Sequence, residues 1–181
     1  GLPSLIYDGP FSDHLELRKP RAVVGQELNK EQALIKIQDI LRRVQKQPFH
    51  LVSSGEVQGK IPAYTFTFNI PGSEGTVTVD ISEQGGHLMT LINSRKIGAR
   101  KLSPQEAEKQ ATEFLKALGF KNMVPTYTIS QGNTQIISFA FSQEGVIIYP
   151  DLVKVKVALD NGEMVGLDTI GYLMAHHERE I

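Results

Sequence analysis

The pattern that most restricts this chain occurs twice: a capped amphipathic helix followed by strands whose residues alternate between apolar and polar. "LNKEQALIKIQDILRRVQ" begins at Leu28 and "LSPQEAEKQATEFLKALG" begins at Leu102, and in the same frame Ala33 meets Ala107 and Leu41 meets Leu115. In the first segment Leu34, Ile37, Ile40, Leu41 and Val44 fall on one face at helical spacing, with Asn29 as the N-cap. In the second, Ala107, Ala111, Phe114, Leu115 and Leu118 do the same. Here Ser103 caps, Pro104 takes the first helical position, Glu106 completes a capping box and Gly119 supplies the left-handed stop.

Strand signals follow each helix. "AYTFTFNI" sets Tyr64, Phe66, Phe68 and Ile70 on one face, and "GTVTVDI" turns Val77, Val79 and Ile81 inward. Later Ile137, Phe139 and Phe141 alternate, as do Val153, Val155, Val157 and Leu159 against Lys154 and Lys156. Turn signals lie at Pro71-Gly72, Gln84-Gly85-Gly86, Gly132-Asn133 and Asn161-Gly162. Period-two alternation means a sheet with one buried face. The expected fold class is therefore α+β, with two tandem units that each pack one helix on an antiparallel β-sheet. The expected divisions are an extended lead-in over residues 1–26, a first unit over 27–93, a linker over 94–101, and a second unit with a C-terminal tail over 102–181. A single unit of this size has a marginal core, so the two are expected to pack together.

Composition narrows the function. The chain has 181 residues, 40% of them hydrophobic, and a net charge of -1, which is enough to bury a core but offers no global attraction for nucleic acid. No nucleic-acid partner is expected. Without cysteine there is no disulfide, thiolate nucleophile or zinc–thiolate site. No apolar run reaches the roughly 20 residues that span a bilayer, so these residues are expected to be soluble. The first residue is Gly1, and a processed form or fragment with an export signal or anchor upstream is the expectation.

Candidate chemistry is sparse. His176 and His177 are neighbours, whereas two zinc ligands on one helix need i and i+4 spacing, so no metal or other cofactor is expected there. Asp13, His14 and Glu16 sit in a proline-bounded stretch without a nucleophile and read as solvated charge. "LDNGEM" carries oxygen donors at Asp160, Asn161 and Glu163 but is too short for a calcium loop, and reads as a two-residue Asn-Gly hairpin. No Gly-x-Ser-x-Gly elbow occurs and no carboxylate pair is specified, so no catalytic residue is expected. Arg95, Lys96, Arg100 and Lys101 form a small basic connector, read either as a solvated linker or as a contact for an anionic polymer.

The helix-plus-strands unit ending in "VKVALDNGEMVGLD" resembles a PepSY domain. Together with "LPSLIYDGPFSDHLE" and "IIYPDLVKVKVALDNGEMVGLDTIGYLMAHHERE", the whole chain resembles the C-terminal region of the YpeB family of spore germination proteins from endospore-forming bacilli. The resemblance implies a non-catalytic regulatory module that associates with, stabilises or restrains the cortex-lytic enzyme SleB. It implies a place outside the cytoplasm at the spore inner membrane and cortex, with the membrane anchor upstream. Direct binding of cortex peptidoglycan or another anionic glycan through Lys154, Lys156 and residues 95–101 is the alternative. A protease-inhibitor-like propeptide role is a second, by analogy with PepSY domains in metalloprotease propeptides. A homodimer is also left open. Tyr149, Asp151, Tyr172 and His177 are the expected partner-binding residues, with Tyr149, Pro150 and Asp151 in a loop and residues 176–180 as an exposed tail. Tyrosines bury much area at low entropic cost, which suits them to interfaces.

Overall fold

The computed structural model describes residues 25–179. The chain runs α1 (Lys30–Val44), β1 (His50–Val57), β2 (Ala63–Asn69), β3 (Thr76–Ser82), β4 (Leu88–Asn93), α2 (Pro104–Ala117), β5 (Met123–Gln131), β6 (Thr134–Gln143), β7 (Val146–Ala158), β8 (Met164–Asp168) and α3 (Ile170–Arg179). All eight strands join one antiparallel sheet in the order β1-β2-β3-β4-β8-β7-β6-β5. One sheet thus stands where the alternation suggests two, because β4 and β8 pair through Thr90 with Asp168, Leu91 with Leu167 and Ile92 with Gly166. A third helix, α3, adds to the two expected.

The local signals act as their chemistry dictates. The Asn29 side chain accepts from the Gln32 N–H and the Gln32 side chain answers on the Asn29 N–H. Ser103 and Glu106 do the same for α2, with Pro104 in the first turn. Each cap contributes about 1 kcal/mol. Both helices then bury one face on the sheet: Ala33, Ile37, Ile40, Leu41 and Val44 from α1, and Ala107, Ala111, Phe114 and Leu115 from α2. These meet Phe66, Phe68, Val79 and Leu91 from one half of the sheet and Ile137, Phe139, Val155 and Leu167 from the other in one continuous core.

Two sequence readings need correction. Tyr149, Pro150 and Asp151 belong to the long strand β7, not to a loop. The irregularity is a bulge: the register with β6 jumps between Tyr149 opposite Phe141 and Val153 opposite Phe139, and Asp151 takes a positive φ of 53°. Nor do residues 176–179 run on as a tail after the last strand. Strand β8 stops at Asp168, whose carboxylate accepts from the Ile170 N–H, and residues 170–179 form a helix. Gly171 reads as a breaker in sequence, yet here it permits contact: a Cβ on it would lie 3.0 Å from the Leu152 carbonyl oxygen, so its bareness lets α3 settle on β7. Residues 1–24 of the expected lead-in, and with them Asp13, His14 and Glu16, lie outside the described residues.

Candidate functional site

The densest polar chemistry sits where the two halves of the sheet meet. Arg95, just beyond β4, is not part of a solvated basic connector; its side chain is only 6% exposed. Its Nε donates to Glu163 at 2.7 Å, its two terminal nitrogens donate to the two Asp160 oxygens at 2.9 Å each, and Nη2 also reaches Asn161. A forked guanidinium suits two carboxylates presented by one turn, because its planar donors match their geometry. Glu163, wholly buried, accepts a further bond from the Lys46 N–H beyond α1, while Gln45 bridges Asn93 and the Met164 carbonyl. Hydrogen bonding from Arg95, with help from the Gly98 N–H, holds the Asp160 carboxyl below the usual carboxylate range.

"LDNGEM" is therefore not a two-residue hairpin. Strand β7 ends at Ala158 and β8 begins at Met164. The intervening turn presents its oxygen donors to a cation, and that cation is the guanidinium of Arg95. Among the described residues no cluster of His, Asp and Glu is arranged to hold a metal ion. Gly75 closes the assembly from the β2–β3 turn: a Cβ there would lie 2.5 Å from the Arg95 Cα, so the backbones approach too closely for any side chain. At the other end of the seam the Thr169 hydroxyl donates to the Leu88 carbonyl and its N–H to the Met89 carbonyl.

The expected partner-binding residues are distributed around one end of the sheet. Tyr172 is half-buried in edge-to-face contact with Phe120 (5.1 Å between centroids) and Phe141 (6.4 Å). The next residue, Leu173, is buried with Ile61, Ala63 and Met89. Tyr149 is also half-buried and packs on the core, while Asp151 is exposed on the bulge. Next to them the β6–β7 hairpin turns at Glu144 and Gly145, both with positive φ (53° and 79°), as a tight primed turn requires. The residues that follow, Val146 and Ile147, are 60% and 51% exposed. The backbone of His177 lies in α3; its side chain, like that of His176, is outside the described residues. Lys154 and Lys156 alternate outward from β7 as expected, but Lys154 sits opposite Asp168 in the ladder, which dilutes the basic face.

An acidic cluster occupies the corner where residue 25 enters. The Gly25–Gln26 backbone meets Gln84 and Gly85, and Glu27 bridges Gln84. Glu83 Oε2 is buried without a hydrogen-bond partner among the described residues. Its carboxyl is pushed above the usual range, first by burial and then by the nearby Glu56 and Glu27. A carboxyl whose folded pKa is raised costs stability above that value and none below the unfolded one. Glu83→Gln is thus expected to raise stability at pH 7 by about 0.5 kcal/mol, a modest effect because Glu56 is exposed. The gain should shrink as pH falls through the raised value toward the ordinary carboxyl range, which urea melts at pH 7 and pH 4 would measure. A loss of stability at pH 7 would show that the Glu83 charge is favourably used.

The family model described as "YpeB sporulation, PepSY1 and PepSY2 domains" matches residues 1–181. The chain is similar to a curated sporulation protein YpeB of Oceanobacillus iheyensis, 31% identical over 88% of this chain and 35% of that protein. Another, from Halalkalibacterium halodurans, is 27% identical over 99% of this chain and 38% of the relative. The chain thus spans little more than a third of their length. Among solved structures, the Bacillus megaterium YpeB C-terminal domain superposes with a TM-score of 0.75 at 28% identity, covering 87% of this chain and 70% of that one. The mixed α/β architecture, an antiparallel sheet with few helices, matches that domain. On the match along its whole length, this chain belongs to the YpeB sporulation protein family, in the part that carries PepSY1 and PepSY2.

Proposed function

We propose that this chain is a non-catalytic contact module of a spore germination protein, and that its partner is the cortex-lytic enzyme SleB. In this reading it acts outside the cytoplasm, at the spore inner membrane and cortex, where it stabilises or restrains the hydrolase. The observation that carries the proposal is the start of β7 at α3: exposed Val146, Ile147 and Asp151 flank half-buried Tyr149 along the strand, and α3 brings half-buried Tyr172 against Phe141, the strand partner of Tyr149. Apolar side chains next to anchored aromatics and a rim charge are the usual makings of a protein contact. Family membership supplies the spore setting. Direct glycan binding is the weaker alternative, because Arg95 is committed to Asp160 and Glu163 and the basic group is left with Lys96, Arg100 and Lys101.

Capture of purified SleB by the immobilised chain tests the reading. Tyr149, Asp151, Tyr172 and His177 would be replaced by alanine singly, and Val146 and Ile147 by serine. A loss of about 1–2 kcal/mol at one or more positions, roughly 5- to 30-fold in affinity, is expected, with thermal melts showing that each variant is still folded at the assay temperature; the two tyrosine variants melt lower because both rings pack on the core. Binding should persist at high salt, whereas attachment to cortex glycan through exposed lysines should fade. Undiminished capture by every variant moves the contact elsewhere, and muramidase or transglycosylase turnover by the isolated chain would end the non-catalytic reading.

A further inference from the structure

Among the described residues the two outer strands of the sheet, β1 and β5, differ in a way that selects a partner. Strand β1 lies at one edge and carries Glu56, with Glu83 and Glu27 close by. Strand β5 forms the other edge, and from residue 123 to residue 143, through β5 and its neighbour β6, the chain has no charged side chain and no histidine. Such a stretch stands out in a chain that is 22% charged. Exposed edges are usually guarded against pairing by lysine, proline or a bulge. Here Pro125 and the irregularity between Pro125 and Tyr127 guard only the start of β5; beyond them Tyr127 to Gln131 pair regularly with β6. The unguarded part is β-branched and aromatic, with Tyr127 59% and Ile129 46% exposed.

We infer that β5 pairs with β5 of a second copy of this chain, in antiparallel register about a two-fold axis at Thr128. A strand that pairs with itself brings charges close to the axis near the same charges on its mate, so a neutral edge suits self-association best, and β5 is neutral where β1 is not. The axis at Thr128 sets Tyr127 opposite Ile129 of the other copy, twice. This gives two aromatic–β-branched pairs, on the face opposite the core because Thr128 registers with buried Ile137 while Tyr127 and Ile129 register with Ser138 and Ile136. Residues 126–130 pair fully in this register, and Pro125, which lacks a donor, falls just outside. The sheet itself contains the precedent, since its halves are joined edge to edge by only three registered pairs at β4 and β8. An interface of two short strands buries less than the roughly 1,200–2,000 Å² of a standard complex, so the dimer is weak and concentration-dependent.

Sedimentation of the chain over a concentration series to about 500 µM tests this, a range chosen for a weak interface. The mass should rise from the monomer's 20.0 kDa toward twice that value. Two charge variants make the test specific: one carrying Tyr127→Lys with Ile129→Lys, the other Tyr127→Glu with Ile129→Glu. Each alone should associate at least tenfold more weakly, because like charges now face each other. An equimolar mixture should regain a dimer that contains one copy of each. Thermal melts of each variant confirm folding, and slowed amide exchange at residues 126–130 of the unmodified chain at high concentration gives a readout that needs no variant. A single monomer mass at every concentration overturns the proposal. So does a dimer that survives in both charge variants, or a mixture that stays monomeric while both variants are folded.

Discussion

Arg95→Ala is expected to cost about 3–5 kcal/mol of folding stability, the range found when one partner of a buried ion pair is removed. The loss comes less from the bonds themselves than from what is left behind. Glu163 is wholly buried and the Asp160 side chain is 15% exposed, and without the guanidinium Glu163 stays out of water with only a backbone donor for company while Asp160 is left partly desolvated. Urea unfolding at pH 7 would measure the loss. The pH dependence has a definite sign. Because Asp160 is held below the usual carboxylate range, its stabilisation is fully present above the unfolded value of about 3.9 and disappears as pH falls through the lower folded value. The gap between the unmodified chain and Arg95→Ala should therefore narrow below about pH 4. A combined Arg95→Met, Asp160→Leu and Glu163→Met variant should lose less than the single change, since no charge is then stranded. A single change that costs under about 1 kcal/mol would mean that water already reaches the cluster.

Phe66→Ala and Phe139→Ala should each cost about 3–5 kcal/mol, and both should shift the same unfolding transition. Phe66 is 1% exposed in β2 and Phe139 fully buried in β6, on opposite sides of the β4–β8 seam. Two units that merely touched would melt separately, each variant moving one step. The residues instead share one cluster that also takes in both long helices, and deleting a ring from either half leaves a cavity in the same packed volume. Calorimetry should show a single transition whose midpoint falls in both variants. A split endotherm, with one component unmoved by each substitution, would show that the seam does not transmit cooperativity.

What was legible in the sequence follows from local rules. The helices around Leu41 and Leu115, their caps at Asn29 and Ser103, and the inward sides of β2, β3, β6 and β7 all depend on spacing and on groups a few residues apart. Edge strands were not legible. β1 and β5 are exposed along nearly their whole length, so neither carries the alternation that marks a half-buried strand. The helix at residues 170–179 was hidden by Gly171, which resembles a stop unless one knows that the Leu152 backbone lies against it. The sequence showed acids at Asp160 and Glu163 and a base at Arg95, but joining them spans 65 and 68 positions. Nothing local marks such a pair: at short range each looks like an ordinary surface charge. Only the pairing of β4 with β8 brings Arg95 over the turn that holds its carboxylates, and it is the same pairing that turns two runs of strands into one sheet, with a main core shared by both halves and β1 and β5 as its outer strands among the described residues.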